Sequence, residues 1–414
     1  MRKSYLNNKW MRAAIPALLI HACIGSVYCW SLLKGDIATA VGCSVKEIEF
    51  AFSLAIFFLG MSAAFGGRFV EKNVTAASVV SCLCFSTGLL LTVLSIHAQS
   101  VLGIMLSYGC LMGIGLGIGY LAPVKTLMLW FKEHKGLATG IAISGFGLSK
   151  VLFSPYIEWC SQSYGVSTTL VSMSVISIFA MLTAAYLIQK PSEWVEPVVT
   201  WKLKDYYQVI KNGTYLKIWF VFYINITCGL ALIAFEKNIA IAVGIGAVGL
   251  LSSLTAFFNT AGRFGYSTMS DYTENKQTIY KILLSSSVLV MLLGYVFGSS
   301  IIVVILMLCV INAGYGGGFS TLPTLLQSKF GMEKISTIHG LALSAWAWAG
   351  LSGNQLSNLI INQWEKSYGV LYIVLAVLYL IALLLTFSIP KNKELIDYEE
   401  QQQSFSKIDP SFIE

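Results

Sequence analysis

A chain of 414 residues that is 56% hydrophobic and only 11% charged is not a soluble globular protein, in which about a quarter of residues carry charge. It predicts a membrane protein with about twelve crossing helices and short connections. The net charge of +7 is spread among connecting segments, which argues against nucleic acid, and the nine cysteines lie mostly in apolar runs, as small core residues rather than a disulfide framework or metal site.

Apolar runs of spanning length fall at roughly 11–33, 46–66, 74–96, 100–123, 137–160, 166–188, 216–236, 246–269, 278–297, 300–323, 336–361 and 367–388. The polar, basic start at 1–10 precedes a run too long for a signal-peptide core, so that run counts as the first span. On it His21, Gly25 and Tyr28 share a face at i, i+4 and i+7 while Trp30 points elsewhere. A histidine at that depth either bonds solute or carries a proton, or it is a neutral core residue bonded to a carbonyl.

After the second span comes a short loop containing Glu71. An acid there can cap a neighbouring helix N-terminus and hold a gate shut, or it is an ordinary solvated loop charge. The fourth span carries Gly113, Gly115, Gly117 and Gly119 ahead of Tyr120 and Pro123. Without a Gly-Lys-Ser/Thr ending this is not a phosphate loop; small residues in a span allow close helix approach, and proline permits bending. Lys125 is expected to snorkel from the helix end. In the fifth span Gly140, Gly147 and Lys150 lie along one side. Lys150 is either a second cation for solute, a partner of Glu158, or a snorkelling residue.

The polar interruption at 189–215 divides a six-helix bundle at 1–188 from a second at 216–390, with a polar tail at 391–414. The eighth span holds Asn259 and Arg263, one turn apart on one face. A lone arginine at the bilayer centre costs roughly 3 kcal/mol or more, so it faces a protein interior or a wet cavity. Arg263 lies eight residues before Asp271, about 12 Å of helix rise, which is far for a snorkel. A positive fork beside an amide is a natural receptor for a carboxylate.

The two sets of six spans repeat at an offset of 200: Gly117 matches Gly317, Pro123 matches Pro323, Gly140 matches Gly340 and Glu71 matches Asp271. A duplication producing parallel halves is expected from this, with the helices bearing Pro123 and Pro323 either a moving pair or a static, tightly packed one. Lysine and arginine crowd the segments that are inside if the N-terminus is inside, leaving only Lys34, Lys46, Lys237 and Lys366 outside. Both termini are therefore expected in the cytoplasm and the chain in the cell membrane. Glu49 and Glu236 fall near outer helix ends, so no acid stands out at mid-membrane as a proton carrier. Nucleophile–base pairs and metal-ligand clusters are absent, so an enzyme is not expected, nor a cofactor or metal.

Tyr28-Cys29-Trp30-Ser31, the run 115–123, Trp130-Phe131 with 136–140 and Gly145-Phe146-Gly147, the stretch 259–263, the run 314–323, and His339-Gly340 with Ala345-Trp346 together resemble the major facilitator superfamily. Within it they resemble the oxalate/formate antiporter family, relatives of the monocarboxylate transporters. The resemblance covers both halves and implies twelve helices in two pseudo-symmetric bundles, with the eighth-span arginine, here Arg263, binding the substrate carboxylate. Related monocarboxylate carriers have a proton-coupling aspartate one turn earlier, where this chain has Asn259. Oxalate carriers have a lysine in the eleventh span, where this chain has Trp346. A monocarboxylate such as lactate, pyruvate or formate fits the single arginine, moved by proton symport or anion exchange. Lys150 matches no position of the family and can restore a second charge. The expectation is a small-anion carrier with Arg263 as clamp, Asn259 orienting it, and His21, Tyr28, Tyr120 and Trp346 lining the cavity. An oxalate or dicarboxylate antiporter and an anion receptor without flux remain open alternatives.

Overall fold

A chain surrounded by hydrocarbon has no water to satisfy its backbone, so each apolar run closes its own hydrogen bonds as a helix. The computed structural model describes residues 8–194, 203–363 and 368–391, and those residues form helices with no strand among them. The first half comprises α1 (Trp10–Val41), α2 (Val45–Lys72), α3 (Val74–His97), α4 (Val101–Trp130), α5 (135–164) and α6 (166–187). A linker helix, Leu203–Lys211, leads to α7 (Gly213–Ala242), α8 (Val248–Asp271), α9 (Gln277–Phe297), α10 (Ile301–Phe330), α11 (Ile335–Gln363) and α12 (Tyr368–Phe387). The residues 1–7, Lys202, Lys366, and the tail beyond Lys391 lie outside the described residues.

Local chemistry sets several boundaries. Ser44 and Glu47 form a capping box that starts α2. Asn73 and Asn212 accept the Ala76 and Tyr215 N–H groups to start α3 and α7. The expected loop at 161–165 is reduced to one residue: helical hydrogen bonding continues from Lys135 to Leu187 and breaks only at Gly165, whose φ of +81° suits glycine. Most helices also outrun their apolar cores. α1, α4, α7 and α10 extend six or more residues past the expected ends, because helical geometry does not stop where the hydrocarbon does. One consequence corrects the reading of Glu71 and Asp271, which sit in the last turns of α2 and α8 rather than in loops.

Among the described residues, nine continuous helices are long and apolar enough to cross a membrane, one of them the stretch that Gly165 divides. α8 and α11 are not in that group; α8 is polar for a span, with Ser252, Ser253, Thr255, Asn259, Thr260 and Arg263. Large apolar side chains such as Phe65, Phe179, Leu250 and Ile302 are exposed around the outside, a surface that a bilayer covers.

Packing follows the internal repeat. α1 lies against α5, α2 against α4, and α3 against α6; in the second half α7 lies against α11, α8 against α10, and α9 against α12. The most extensive contacts between the halves are α2 with α11 and α5 with α8, and each pair is the other's counterpart at the offset of 200. Gly340 on α11 abuts Ala63 of α2, and Gly140 on α5 abuts Ser267 of α8; a Cβ at either would collide with the facing helix. Lys125, expected to reach the helix end, is only 1% exposed inside this packing.

Candidate functional site

Thr255, Asn259 and Arg263 recur at four-residue intervals on α8 and so share one face. That face looks into a cavity of 420 Å³ between the halves. Arg263 is 2% exposed. Its Nε donates to Asn259 Oδ1 at 2.9 Å and its Nη1 to the Ile143 carbonyl at 3.3 Å. The guanidinium sits 5.8 Å from the Phe146 ring centre and 5.5 Å from that of Phe319, close enough for cation–π attraction. Two glycines make its socket: a Cβ on Gly147 would lie 3.3 Å from Arg263 Cδ, and one on Gly316 would lie 3.0 Å from its Cγ. No carboxylate pairs with it among the described residues. Neutral acceptors on two sides hold the fork in place but do not cancel its charge.

Tyr28 of α1, Gly147 and Lys150 of α5, Glu236 of α7, and Asn312 and Tyr315 of α10 complete the polar part of the wall. The hydroxyls of Tyr28 and Tyr315 are buried without a hydrogen-bond partner in the protein. A buried unsatisfied hydroxyl costs about 1–3 kcal/mol, so both are available to a polar solute or to water. Leu230, Ile233, Ala234, Val248 and Ala256 supply apolar wall. The cavity reaches the surface beside exposed Lys237 and Gly249. A buried guanidinium flanked by an amide and two phenols, with apolar wall beside them, suits a small anion with an apolar remainder.

Arg263, Asn259, Tyr28 and Lys150 thus come together in one cavity. Lys150 is half-buried, and Glu158 is exposed and not bonded to it. His21, Tyr120 and Trp346, expected as cavity lining, are not there. They form a floor beneath Arg263, each buried. Tyr120 meets Phe146 at 5.8 Å and Trp346 at 5.9 Å, and Trp346 meets Phe319 at 4.5 Å, all edge-on. His21 places Nδ1 at the Ala142 carbonyl and Nε2 3.2 Å from the Tyr120 carbonyl. Its shared face with Gly25 and Tyr28 is real, but it packs on α5: Gly25 abuts Phe146, and the Tyr28 ring lies 5.3 Å from it.

Below the floor the molecule is closed. Asp271 accepts the N–H groups of Gly136 at 2.7 Å and Leu137 at 2.8 Å, at the start of α5. Glu71 accepts the Thr337 N–H at 3.0 Å, at the start of α11. Each acid therefore satisfies donors left open at a helix N-terminus of the other half, where the helix dipole also favours negative charge. Lys190 donates to the Glu71 carbonyl, and Lys276 to the carbonyls of Ser270 and Thr273. Burial lowers the Lys276 pKa from its ordinary value, against the pull of Asp271. Pro123 and Pro323 sit buried within α4 and α10, which continue as helix on both sides of them.

Sequence reasoning missed Glu236, Asn312 and Tyr315. Glu236 was read as a helix end because the apolar run stops there, yet α7 continues to Ala242 and carries the carboxylate in the cavity wall. Asn312 lies one turn before Gly316 and Tyr315 directly before it, and that spacing is the available signal.

The sequence profile of the Major Facilitator Superfamily matches residues 16–354. The chain is 24% identical over 401 residues to the oxalate:formate antiporter of Oxalobacter formigenes, covering 93% of each chain. It is also 24% identical over 345 residues to the uncharacterized MFS-type transporter YhjX of Escherichia coli strain K12, covering 82% of this chain and 85% of that one. In three dimensions it is similar to the crystal structure of the Major Facilitator Superfamily transporter FucP in the outward conformation, with a TM-score of 0.71 and 11% identity over 92% of this chain and 98% of the other.

Proposed function

This chain belongs to the major facilitator superfamily, and on that premise we propose that it is a secondary carrier moving a small monocarboxylate, such as lactate, pyruvate or formate, by alternating access. The observation that carries the reading is Arg263, a buried guanidinium with no acidic partner among the described residues, at the wall of a cavity that solute can enter. A carboxylate arriving there gains a charge-assisted contact with a group already desolvated and aimed by Asn259 and Ile143. Tyr28 and Tyr315 then complete the shell from the two halves. In this reading the bundles at 1–188 and 216–390 rock about the bound anion. Glu71 and Asp271 hold one end closed in the present state, and Pro123 and Pro323 mark the helices that move when it opens.

The lysine and arginine distribution supports a cell-membrane carrier with both termini cytoplasmic, so that the open end of the cavity faces outward. A second reading, exchange of oxalate or another dicarboxylate, is favoured by Lys150 on the cavity wall. The relative from Oxalobacter formigenes, an oxalate:formate antiporter, fits either choice. The experiment is uptake of labelled lactate, pyruvate, formate, oxalate and succinate into liposomes containing the purified protein, with and without a pH gradient or a preloaded counter-anion. Saturable uptake by the wild type and none by Arg263→Ala, with the variant still inserted, supports the carrier. Retained uptake by Arg263→Ala overturns the assignment of the site. Binding without flux by the wild type turns the protein into a receptor.

A further inference from the structure

Four charged side chains line the cavity: Lys150, Glu236, Lys237 and Arg263. Lys237 is exposed at the mouth, where water screens it. The other three lie deeper and are distributed across the two halves. Arg263 stands two helical turns along α8 from Thr255, and the Thr255 hydroxyl donates to Glu236 Oε1 at 2.9 Å. Glu236 is therefore fixed on the same polar track as the guanidinium, at its end nearer the mouth. Lys150 comes from α5 in the other half and lines the same cavity. Lys150 and Arg263 have no ion-pair partner in contact among the described residues, and neither does Glu236. The three charges interact through the space that solute occupies, where the effective dielectric is well below that of water.

We propose that Glu236 is the specificity-determining charge of this cavity: it offsets Lys150, leaves Arg263 as the one uncompensated cation, and so admits monoanions in preference to dianions. The inference deepens the anion-carrier reading and rests on it. A monocarboxylate placed on Arg263 brings the cavity close to neutrality. A dicarboxylate adds a second negative charge facing the Glu236 carboxylate, and like charges in a shared low-dielectric space repel. Without Glu236 the same walls carry two cations and match a dicarboxylate. The acid thus determines which of two solute classes a fixed arginine accepts.

The test uses the full-length protein in liposomes, with labelled formate and oxalate as the monoanion and dianion probes. Glu236→Gln keeps an oxygen for the Thr255 hydroxyl and removes the charge; it is expected to raise the oxalate-to-formate uptake ratio about tenfold. Lys150→Met is expected to lower that ratio, because it weakens dianion affinity more than monoanion affinity. The double variant, which restores one net positive charge, is expected to return it to near the wild-type value. Where a variant's uptake is too slow to measure, the ratio of oxalate to formate dissociation constants, read from tryptophan fluorescence in detergent, answers the same question. An unchanged ratio in Glu236→Gln, or a double variant that behaves like Glu236→Gln alone, overturns the proposal while leaving the carrier intact. A wild type that takes up neither probe nor any other anion of the panel instead removes the carrier reading itself.

Discussion

Leu137 and Thr337 stand 200 positions apart, and each gives its backbone N–H to an acid that is itself 200 positions from the other: Leu137 to Asp271 at 2.8 Å, Thr337 to Glu71 at 3.0 Å. A repeat visible in the sequence as paired letters is thus also a repeat of hydrogen bonds, and both bonds cross between the halves. They fasten the closed end from two sides of a pseudo-twofold arrangement.

Removing those charges should release that end. Asp271→Asn and Glu71→Gln each weaken an anion at a helix N-terminus, by about 1–2 kcal/mol. A change of that size moves a two-state equilibrium roughly 5- to 30-fold. In a background freed of reactive native cysteines, Ser252→Cys reports on the cavity mouth. Its rate of alkylation by an impermeant reagent should fall by up to that factor when either acid is neutralised, and an unchanged rate would show that the caps do not control the state.

Bulk at the crossing glycines should act in the same sense. Gly340→Val drives a side chain into the Ala63 backbone of α2, and Gly140→Val drives one into Ser267 of α8. Either should disfavour the present closed end, costing about 1–3 kcal/mol there, and reduce transport about tenfold or more in protein that still inserts. Uptake normalised to membrane protein checks this; wild-type rates in both variants would mean the helices part easily at these points.

Keeping the charge at position 263 while losing its shape separates two roles. Arg263→Lys retains a cation but cannot keep the Asn259 and Ile143 bonds and also present a planar face to a carboxylate. The expected outcome is a rise in KM of about tenfold with measurable residual uptake, in contrast to the complete loss expected for alanine. Kinetics over a concentration series distinguish the cases, and a lysine variant equal to wild type would show that charge alone suffices.

The phenols allow a cleaner test, since their hydroxyls have no protein partner to lose. Tyr28→Phe and Tyr315→Phe should leave thermal stability within about 0.5 kcal/mol of wild type. Each should lower affinity for the transported anion by about three- to tenfold if its hydroxyl bonds the solute, a loss of about 0.5–1.5 kcal/mol. Melting temperatures and KM values measured on the same preparations provide both halves of the comparison.

Much of this is legible in the sequence. Among the described residues twelve helices follow the apolar runs, α8 and α11 being less apolar than the rest, and the Arg263–Asn259 bond follows from a four-residue spacing. The offset of 200 pointed to the glycines and acids that meet across the halves. The rest depended on quantities that periodicity does not carry. His21, Tyr120 and Trp346 pack among buried rings and carbonyls rather than on the cavity wall, a choice of neighbour that helical periodicity does not encode. Glu236 was hidden because hydropathy marks where lipid ends, whereas α7 continues as helix beyond that limit. Lys125 was misjudged because a helix end that reads as free from one strand of text is covered by its neighbours in space.

The edge-on rings of Tyr120, Phe146, Phe319 and Trp346 come from four different helices, two in each half, and fill the space beneath the guanidinium. A membrane that stores energy as ion gradients cannot tolerate a carrier that leaks while idle. A plug assembled from both halves keeps bulky side chains in the way of ions for as long as the two halves stay together.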